Sequence, residues 1–101
     1  MSGFIPPDEL DQVIHERVRL GIVSALAAGG ALTFMELRDM LKLTNGNLSV
    51  HSRVLETAGY LVIEKEFVDR KPRTTLKLSA KGKTAFRCYL ERLEELVKGQ
   101  K

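Results

Sequence analysis

The chain has 101 residues, 44% of them hydrophobic, and its 16 lysines and arginines against 13 acidic residues give a formal net charge of +3. This length supports one domain over residues 1–101 with one modest core. The sequence lacks the run of about eighteen apolar residues needed to cross a membrane, and its N-terminus lacks the basic start and apolar run of a secretion signal. We therefore expect a cytoplasmic protein, whose single cysteine, Cys88, packs in a helix.

A first helix is predicted to begin at a turn over residues 6–8, where two prolines preset the backbone and Asp8 can cap exposed amide groups. Its apolar pattern is interrupted at residues 15–17, which indicates a kink or a second helix start, and then continues until glycines 29 and 30 end the helix. The apolar residues before the interruption are Leu10, Val13 and Ile14.

The next segment predicts a short capped helix. Residues 31 and 32 are too few to form a strand alone, but they can pair with a later hairpin as a third strand. Thr33 is expected to cap a helix from Phe34 to about Leu41. The residues expected to face inward along it are Phe34, Leu37, Met40 and Leu41. Residues 42–45 then form a tight connection.

A second helix is predicted over residues 44–58, capped by Thr44 or Asn45 and closed by Gly59 in a left-handed turn. The inward side consists of Leu48, His51, Leu55 and Ala58, and the outward side consists of Asn47, Val50, Arg53 and Thr57. A short capped helix, a tight turn and a second helix together predict a helix-turn-helix.

The outward side of this second helix has the chemistry of a DNA reader, because an α-helix fits the major groove and its side chains can reach base edges there. Amide, hydroxyl and guanidinium groups can donate hydrogen bonds, a valine can touch a thymine methyl group, and the helix start suits a phosphate. The alternative is a polar surface that is merely solvated. The predicted DNA-binding residues of this helix are Thr44, Asn45, Asn47, Ser49, Val50 and Arg53.

Two strands, at residues 60–67 and 74–78, are expected to flank a basic loop over residues 68–73. Residues 65–87 carry eight lysines and arginines against two acidic residues, whereas residues 1–64 carry five against eight. This local excess indicates a phosphate-facing patch rather than an ordinary solvated surface. At the hairpin tip, Arg70, Lys71 and Arg73 are predicted to contact phosphates or enter the minor groove, and Pro72 to limit the loop's freedom. A charged tip that only keeps the hairpin soluble is the alternative.

Ser79 is expected to cap a last helix with a coiled-coil-like apolar seam. A second copy of the chain could pack on this seam together with the first helix, or the seam could fold back on its own domain. The predicted dimer residues are Leu10, Val13, Ile14, Tyr89, Leu90, Leu93, Leu96 and Val97. A two-fold dimer would place its recognition helices about 34–36 Å apart, which predicts an inverted-repeat operator.

Five segments, at residues 14–23, 43–51, 58–61, 67–74 and 78–83, together resemble the compact winged helix-turn-helix transcriptional regulators of the MarR/ArsR type. The resemblance implies an α+β, mainly helical fold with a small antiparallel β hairpin wing over residues 65–78. It also implies a homodimer formed by the terminal helices, with helix 44–58 in the major groove. Metal-sensing members carry cysteines in the helix that corresponds to residues 33–38, and those cysteines are missing here. In helix 44–58, Ser52 stands where related helices usually have an apolar residue.

The function expected from these patterns is sequence-specific binding of double-stranded DNA by a transcriptional regulator. The alternative is a winged-helix protein-protein interaction module. His15 and His51 have no acidic or cysteine neighbour at ligand spacing, and no acid, base and nucleophile occur together, so the sequence predicts no metal, no cofactor and no enzyme activity. It does not identify any small-molecule effector.

Overall fold

A computed structural model describes residues 9–99 as four helices and one three-stranded antiparallel sheet. The elements are α1 (Arg17–Gly29), β1 (Leu32–Thr33), α2 (Phe34–Leu41), α3 (Asn45–Thr57), β2 (Leu61–Val68), β3 (Lys71–Leu78) and α4 (Ala80–Lys98). The strand order is β1-β3-β2, and β1 joins through the pairs Leu32–Leu76 and Thr33–Thr75. The predicted third strand and the mainly helical winged helix fold are therefore confirmed. None of the described helices is long and apolar enough to span a membrane.

The first helix begins later than the sequence suggested, at Arg17. Asp11 Oδ1 accepts hydrogen bonds from the amides of Val13 and Ile14, at 2.9 and 3.1 Å. A short side chain that satisfies nearby amides in this way competes with helix formation, so the predicted helix over residues 10–14 is wrong. Glu16 supplies the cap of α1 by accepting from the amide of Arg19 at 2.8 Å, which confirms the second start. The turn predicted at residues 6–8 lies outside the described residues.

Helices α2 and α3 have the predicted caps. Thr33 and Glu36 form a reciprocal capping box at the start of α2, and the Thr44 hydroxyl accepts from the amide of Asn47 at the start of α3. Gly59 ends the helical region with φ = 86°. Met40 was expected to face inward, but it is 57% exposed, whereas Phe34, Leu37 and Leu41 of the same helix contact the larger apolar cluster.

The hairpin is longer and its loop shorter than predicted. Strand β2 extends to Val68 and β3 begins at Lys71, so only Asp69 and Arg70 form the turn. Both have positive φ, 53° and 67°, as in the type I′ turns that match the twist of paired strands. Lys71 and Pro72 therefore lie in β3 and not in a loop. Pro72 pairs with Phe67, next to the pair Val68–Lys71 that closes the turn. Hydrogen-bonded and non-hydrogen-bonded pairs alternate along an antiparallel ladder, so the position of Pro72 needs no amide proton to pair with β2.

The core consists of two apolar clusters. The larger one joins α1, α2, α3 and the sheet through Val18, Ile22, Val23, Leu26, Leu37, Leu48, Leu55, Leu61, Leu76 and Leu78. The smaller one joins the segment before α1 to α4 through Leu10, Ile14 and Tyr89. A close approach fixes the start of α4, because a Cβ on Gly82 would lie 2.2 Å from the carbonyl oxygen of Tyr60. The larger cluster therefore holds α3 against the sheet, with its outer face free.

Candidate nucleic-acid interface

Helix α3 presents a polar and mixed surface to solvent. Asn47, Ser49 and Arg53 are exposed, and Val50 is 61% exposed. Leu48 and Leu55, on the opposite side, are completely buried. The burial pattern confirms which face of the helix is available, whereas contact of these side chains with DNA stays a prediction.

The connection between α2 and α3 is held by an arginine that the sequence analysis did not single out. Arg38 Nη1 donates to the side-chain oxygen of Asn45 at 2.9 Å, and Arg38 Nε lies 2.9 Å from a carboxylate oxygen of Asp39. The side-chain oxygen of Asn45 is therefore engaged in a hydrogen bond within the chain, and its NH₂ group remains able to donate to a phosphate. With Thr44 capping the first turn, the exposed start of α3 has the positive end of the helix dipole and a nearby guanidinium.

A cleft of about 530 Å³ lies at the surface between α3 and the sheet. Its walls are formed by Phe34, Ser49, Ser52, Arg53, Glu56, Ile63, Lys65, Thr74 and Leu76. Arg53 on α3 and Lys65 on β2 thus contribute cations to opposite walls. Lys65 was not among the predicted site residues. Strand alternation starting from buried Leu61 contained the necessary signal, since Ile63 and Lys65 follow on the same side of the sheet.

Ser52 is the unusual residue of this cleft. The residue is 3% exposed, and its hydroxyl has no hydrogen-bond partner within the described part of the chain. Most buried polar groups in proteins are paired, and an unpaired one costs about 1–3 kcal/mol. The position that resembles an apolar core site in related helices therefore carries a buried hydroxyl beside the candidate interface.

The other face of the wing carries paired charges. Arg73 Nη2 lies 3.1 Å from Glu66 Oε2, and Lys77 Nζ lies 4.0 Å from Glu64 Oε2. Both pairs are half exposed, so each contributes little to stability. Arg70, by contrast, lies in the turn itself. The structure therefore separates the predicted basic tip into a turn residue, Arg70, the first residue of β3, Lys71, and Arg73, which already has an acidic partner within the wing.

The inner face of α3 is joined to α1 by a polar contact. Arg19 Nη1 lies 3.0 Å from His51 Nδ1, so His51 is on the inward side of the helix, as predicted. Glu16 lies beside this pair. Partial burial would raise the pKa of Glu16, but hydrogen bonds from the amides of Arg19 and Val18, with the charges of His51 and Arg19, outweigh it and hold the pKa below its usual value.

The predicted dimer residues fall into three groups by burial. Leu10, Ile14 and Tyr89 are at most 3% exposed, so they have almost no surface that could contact a second copy. They can only support other residues that form an interface. Leu90 and Val97 are 46% and 69% exposed. These two border an open hollow of about 500 Å³ on α4, which is lined by Arg87, Leu90, Glu91, Leu93, Glu94 and Val97. Val13, Leu93 and Leu96 are partly buried against the protein's own core.

Within residues 9–99, no group of three or more histidine, cysteine or acidic side chains is arranged to hold a metal ion. Cys88 is exposed on α4 rather than packed in the core as the sequence suggested, because the apolar side of α4 runs through Gly82 and Tyr89. The chemistry of the site is therefore that of cations, hydroxyls, amides and an exposed valine around one helix and one hairpin.

Comparison with known proteins gives the same picture. Residues 18–97 match the winged helix DNA-binding domain family. An uncharacterised protein of Methanocaldococcus jannaschii is 30% identical over 87 residues, which cover 86% of this chain and 95% of that protein. The structure of a transcriptional regulator homologue from Pyrococcus horikoshii superposes with a TM-score of 0.80 at 34% identity, over 88% of each chain. A MarR-like transcriptional regulator from Thermotoga maritima gives a TM-score of 0.67 at 26% identity, over 94% of this chain and 65% of that one. Because the family match includes most of the chain, this protein belongs to the winged helix DNA-binding domain family, and it shares its fold with the MarR-like regulators.

Proposed function

We propose that this protein regulates transcription by binding specific duplex DNA as a homodimer. Helix α3 would lie in the major groove, and the wing would lie on the adjacent backbone or minor groove. The observation that carries the proposal is the cleft between α3 and the sheet, with Arg53 on one wall and Lys65 on the other. A phosphate strand that runs between two grooves occupies such a position when a helix and a hairpin each enter a groove.

The charge distribution supports DNA over a protein partner. Positive charge is concentrated in the wing and at the start of α4, and the paired charges Glu64–Lys77 and Glu66–Arg73 lie on the wing face away from the cleft. The cleft itself contains two cations and a single carboxylate, that of Glu56. A docking module for acidic proteins would also use cations, but it would not need an exposed helix with the amide, hydroxyl and guanidinium groups that read base edges.

The test is selection of bound duplexes from a random pool, followed by titration of a selected and a scrambled duplex at several salt concentrations. We expect the selected duplex to be an inverted repeat and to bind at least 10³-fold more tightly than the scrambled one, as is typical of specific recognition. Lys65→Ala should lower the slope of log K against log salt by about 0.9 for each phosphate released. Equal binding of both duplexes would contradict specific recognition, and an absence of binding at low salt would contradict DNA binding altogether.

A matched control is available in α4. Lys98 is an exposed cation paired with Glu94 at 2.9 Å in the last turn of the helix, and it borders neither α3 nor the cleft. Lys98→Ala removes the same charge as Lys65→Ala. It should leave the salt slope unchanged. If both substitutions reduce the slope equally, the effect is one of net charge and the assignment of Lys65 to a phosphate is wrong.

A further inference from the structure

Helix α3 carries an exposed apolar stripe beside its polar residues. Val50 and Val54 are 61% and 37% exposed, and they are one helical turn apart. Together with Thr57, which follows at the next turn, they place methyl groups along one line of the helix. An exposed valine on a helix is unusual, because β-branched residues are mediocre helix formers, and Val50 is covered over less than half of its surface. The exposed surface of both valines is therefore available to a partner.

The stripe forms one wall of a groove of about 640 Å³. The lining residues outside the stripe are Val13, Ser49, Arg53 and Ala58. Val13 belongs to the segment before α1, so this segment also contributes to the lining. Ser49 and Arg53 line this groove and also the cleft toward the wing. The apolar groove is thus continuous with the surface assigned to DNA, and its occupant must be compatible with a bound duplex.

The edge of a base pair in the major groove offers one apolar group, the C5 methyl of thymine. The groove is lined by methyl groups rather than by hydrogen-bond donors on its Val50 and Val54 side, so that side fits a thymine and offers nothing to the exocyclic amine of cytosine. Four residues of an α-helix span about 6 Å, and two base-pair steps span about 6.8 Å. The two valines therefore match two thymine methyl groups separated by two steps.

We propose that Val50 and Val54 determine sequence preference by contacting two thymine methyl groups in each half-site. This inference rests on the proposed function and specifies the base that the groove selects. The polar residues of α3 hold the helix in register through hydrogen bonds, and the valines distinguish thymine from cytosine by contact and by exclusion. The same contact distinguishes thymine from uracil, which differs only by the methyl group.

The test replaces each thymine of a selected duplex in turn by deoxyuridine, which removes one methyl group and changes no Watson–Crick pairing. We expect two positions per half-site, two steps apart, at which the replacement weakens binding about fourfold, the effect of one buried methylene-sized group. The other thymines should be indifferent. Uniform indifference to deoxyuridine, with tight specific binding retained, would overturn the inference and leave the proposed function intact. An absence of any specific duplex would overturn both.

Protein variants assign each methyl group to a side chain. Val50→Ala should abolish the deoxyuridine effect at one position and Val54→Ala at the other, because the contact is already missing. Both positions are exposed or partly exposed, so the fold should be kept, which circular dichroism can verify. Met40→Ala, an exposed apolar residue of α2 outside the groove, is the matched control and should retain both effects. If the deoxyuridine effects persist in Val50→Ala and Val54→Ala, other residues read the methyl groups and the proposal is wrong.

Discussion

Arg19 Nη1, on α1, lies 3.0 Å from Nδ1 of His51 on the inner face of α3. A guanidinium group only donates hydrogen bonds, so in the neutral form of the ring Nδ1 accepts from Arg19 and the imidazole proton is on Nε2. Glu16 Oε1 lies 3.5 Å from the same nitrogen, and that contact becomes an ion pair only if Nδ1 is protonated. The two contacts are thus alternatives at one atom, and the neutral imidazole favours the link to Arg19. That link joins the candidate recognition helix to α1.

The first prediction concerns the protonation of this histidine. In the neutral form of the ring, ¹⁵N chemical shifts of histidine-labelled protein should show His51 protonated at Nε2. Arg19→Gln should weaken this preference, because the glutamine can also accept, and should lower the free energy of unfolding by about 1–3 kcal/mol through loss of a charged hydrogen bond. His15, whose Nδ1 lies 2.8 Å from the Tyr89 hydroxyl, is the internal comparison. An Nδ1–H form of His51 in the wild type would contradict the assignment.

Local sequence signals predicted those features that depend on a few neighbouring residues. The caps Thr33, Thr44 and Ser79 were all identified correctly, since a hydroxyl three residues before an exposed amide acts locally. The third strand was also foreseen. The segment before α1 was not, because Asp11 satisfies two amides there and then accepts from the hydroxyl of Tyr60, 49 residues away. That partner becomes visible only when the chain is folded.

In the wing and the candidate site, too, local features were predicted from the sequence and tertiary ones were not. The basic composition of the hairpin was evident, but the two-residue turn was hidden by Asp69-Arg70, which lacks the glycine that usually marks such turns. Lys65 was not predicted because the order of charges along the chain does not show which side chains face α3 across the cleft. The apolar character of Leu10 and Ile14 predicted that they are covered, but the element that covers them is α4 of the same chain and not a second copy. Sequence patterns give faces, whereas the element that covers each face is a tertiary property.

A second prediction follows from the Tyr60 hydroxyl, which donates to Asp11 Oδ2 at 2.5 Å. Burial, together with the hydrogen bond to Asp11 and its charge, raises the pKa of Tyr60 to about 12. Because the folded pKa lies above the unfolded value of 10.0, this group stabilises the fold fully below about pH 10 and loses that contribution as the pH rises toward 12. Wild type should therefore be more stable than Tyr60→Phe at pH 7, and the difference should shrink between pH 10 and 12. Urea unfolding at several pH values measures it, and a constant difference would contradict the prediction.

A third prediction concerns competition within the wing. Arg73 is paired with Glu66, and both side chains are 49% exposed. Arg73→Ala should weaken binding to all duplexes and lower the salt slope by about 0.9 if the arginine neutralises one phosphate. Glu66→Gln should have the opposite effect, because it releases Arg73 for a phosphate. Thermal stability should change little, since exposed pairs contribute roughly 0.2–1 kcal/mol. Fluorescence anisotropy across a salt series gives both quantities, and the Glu66→Gln gain should largely vanish in the Arg73→Ala background.

A fourth prediction separates stability from binding at the start of α3. Gly46 lies on the same line of the helix as Val50 and Arg53, and an added Cβ there would contact only the Thr44 hydroxyl, at 4.0 Å. Gly46→Ala should stabilise the protein by up to about 0.5–1 kcal/mol, because alanine loses less conformational entropy in a helix. Specific DNA binding should nevertheless weaken if the backbone of α3 approaches the duplex closely. Unchanged affinity with raised stability would place the duplex farther from this turn.

The last prediction is dimerisation through α4. Leu90 and Val97 are one heptad apart, both are exposed, and neither belongs to the apolar clusters of the described core. Arg87, Glu91 and Glu94 surround them in the hollow on this face, an apolar centre with charged flanks as in helix pairs that join two subunits. Leu90→Glu with Val97→Glu should therefore give a folded monomer, because neither side chain belongs to the apolar clusters of the described core, and it should bind an inverted-repeat duplex much more weakly than wild type. Thr84→Glu with Cys88→Glu, exposed on another side of the same helix, introduces two acidic side chains as well and should remain dimeric.

Sedimentation velocity of wild type and the two double variants over a concentration series measures the oligomeric state. A monomeric wild type at tens of micromolar, roughly the range in which a weak specific dimer forms, would show that α4 leaves this apolar face uncovered by a second copy.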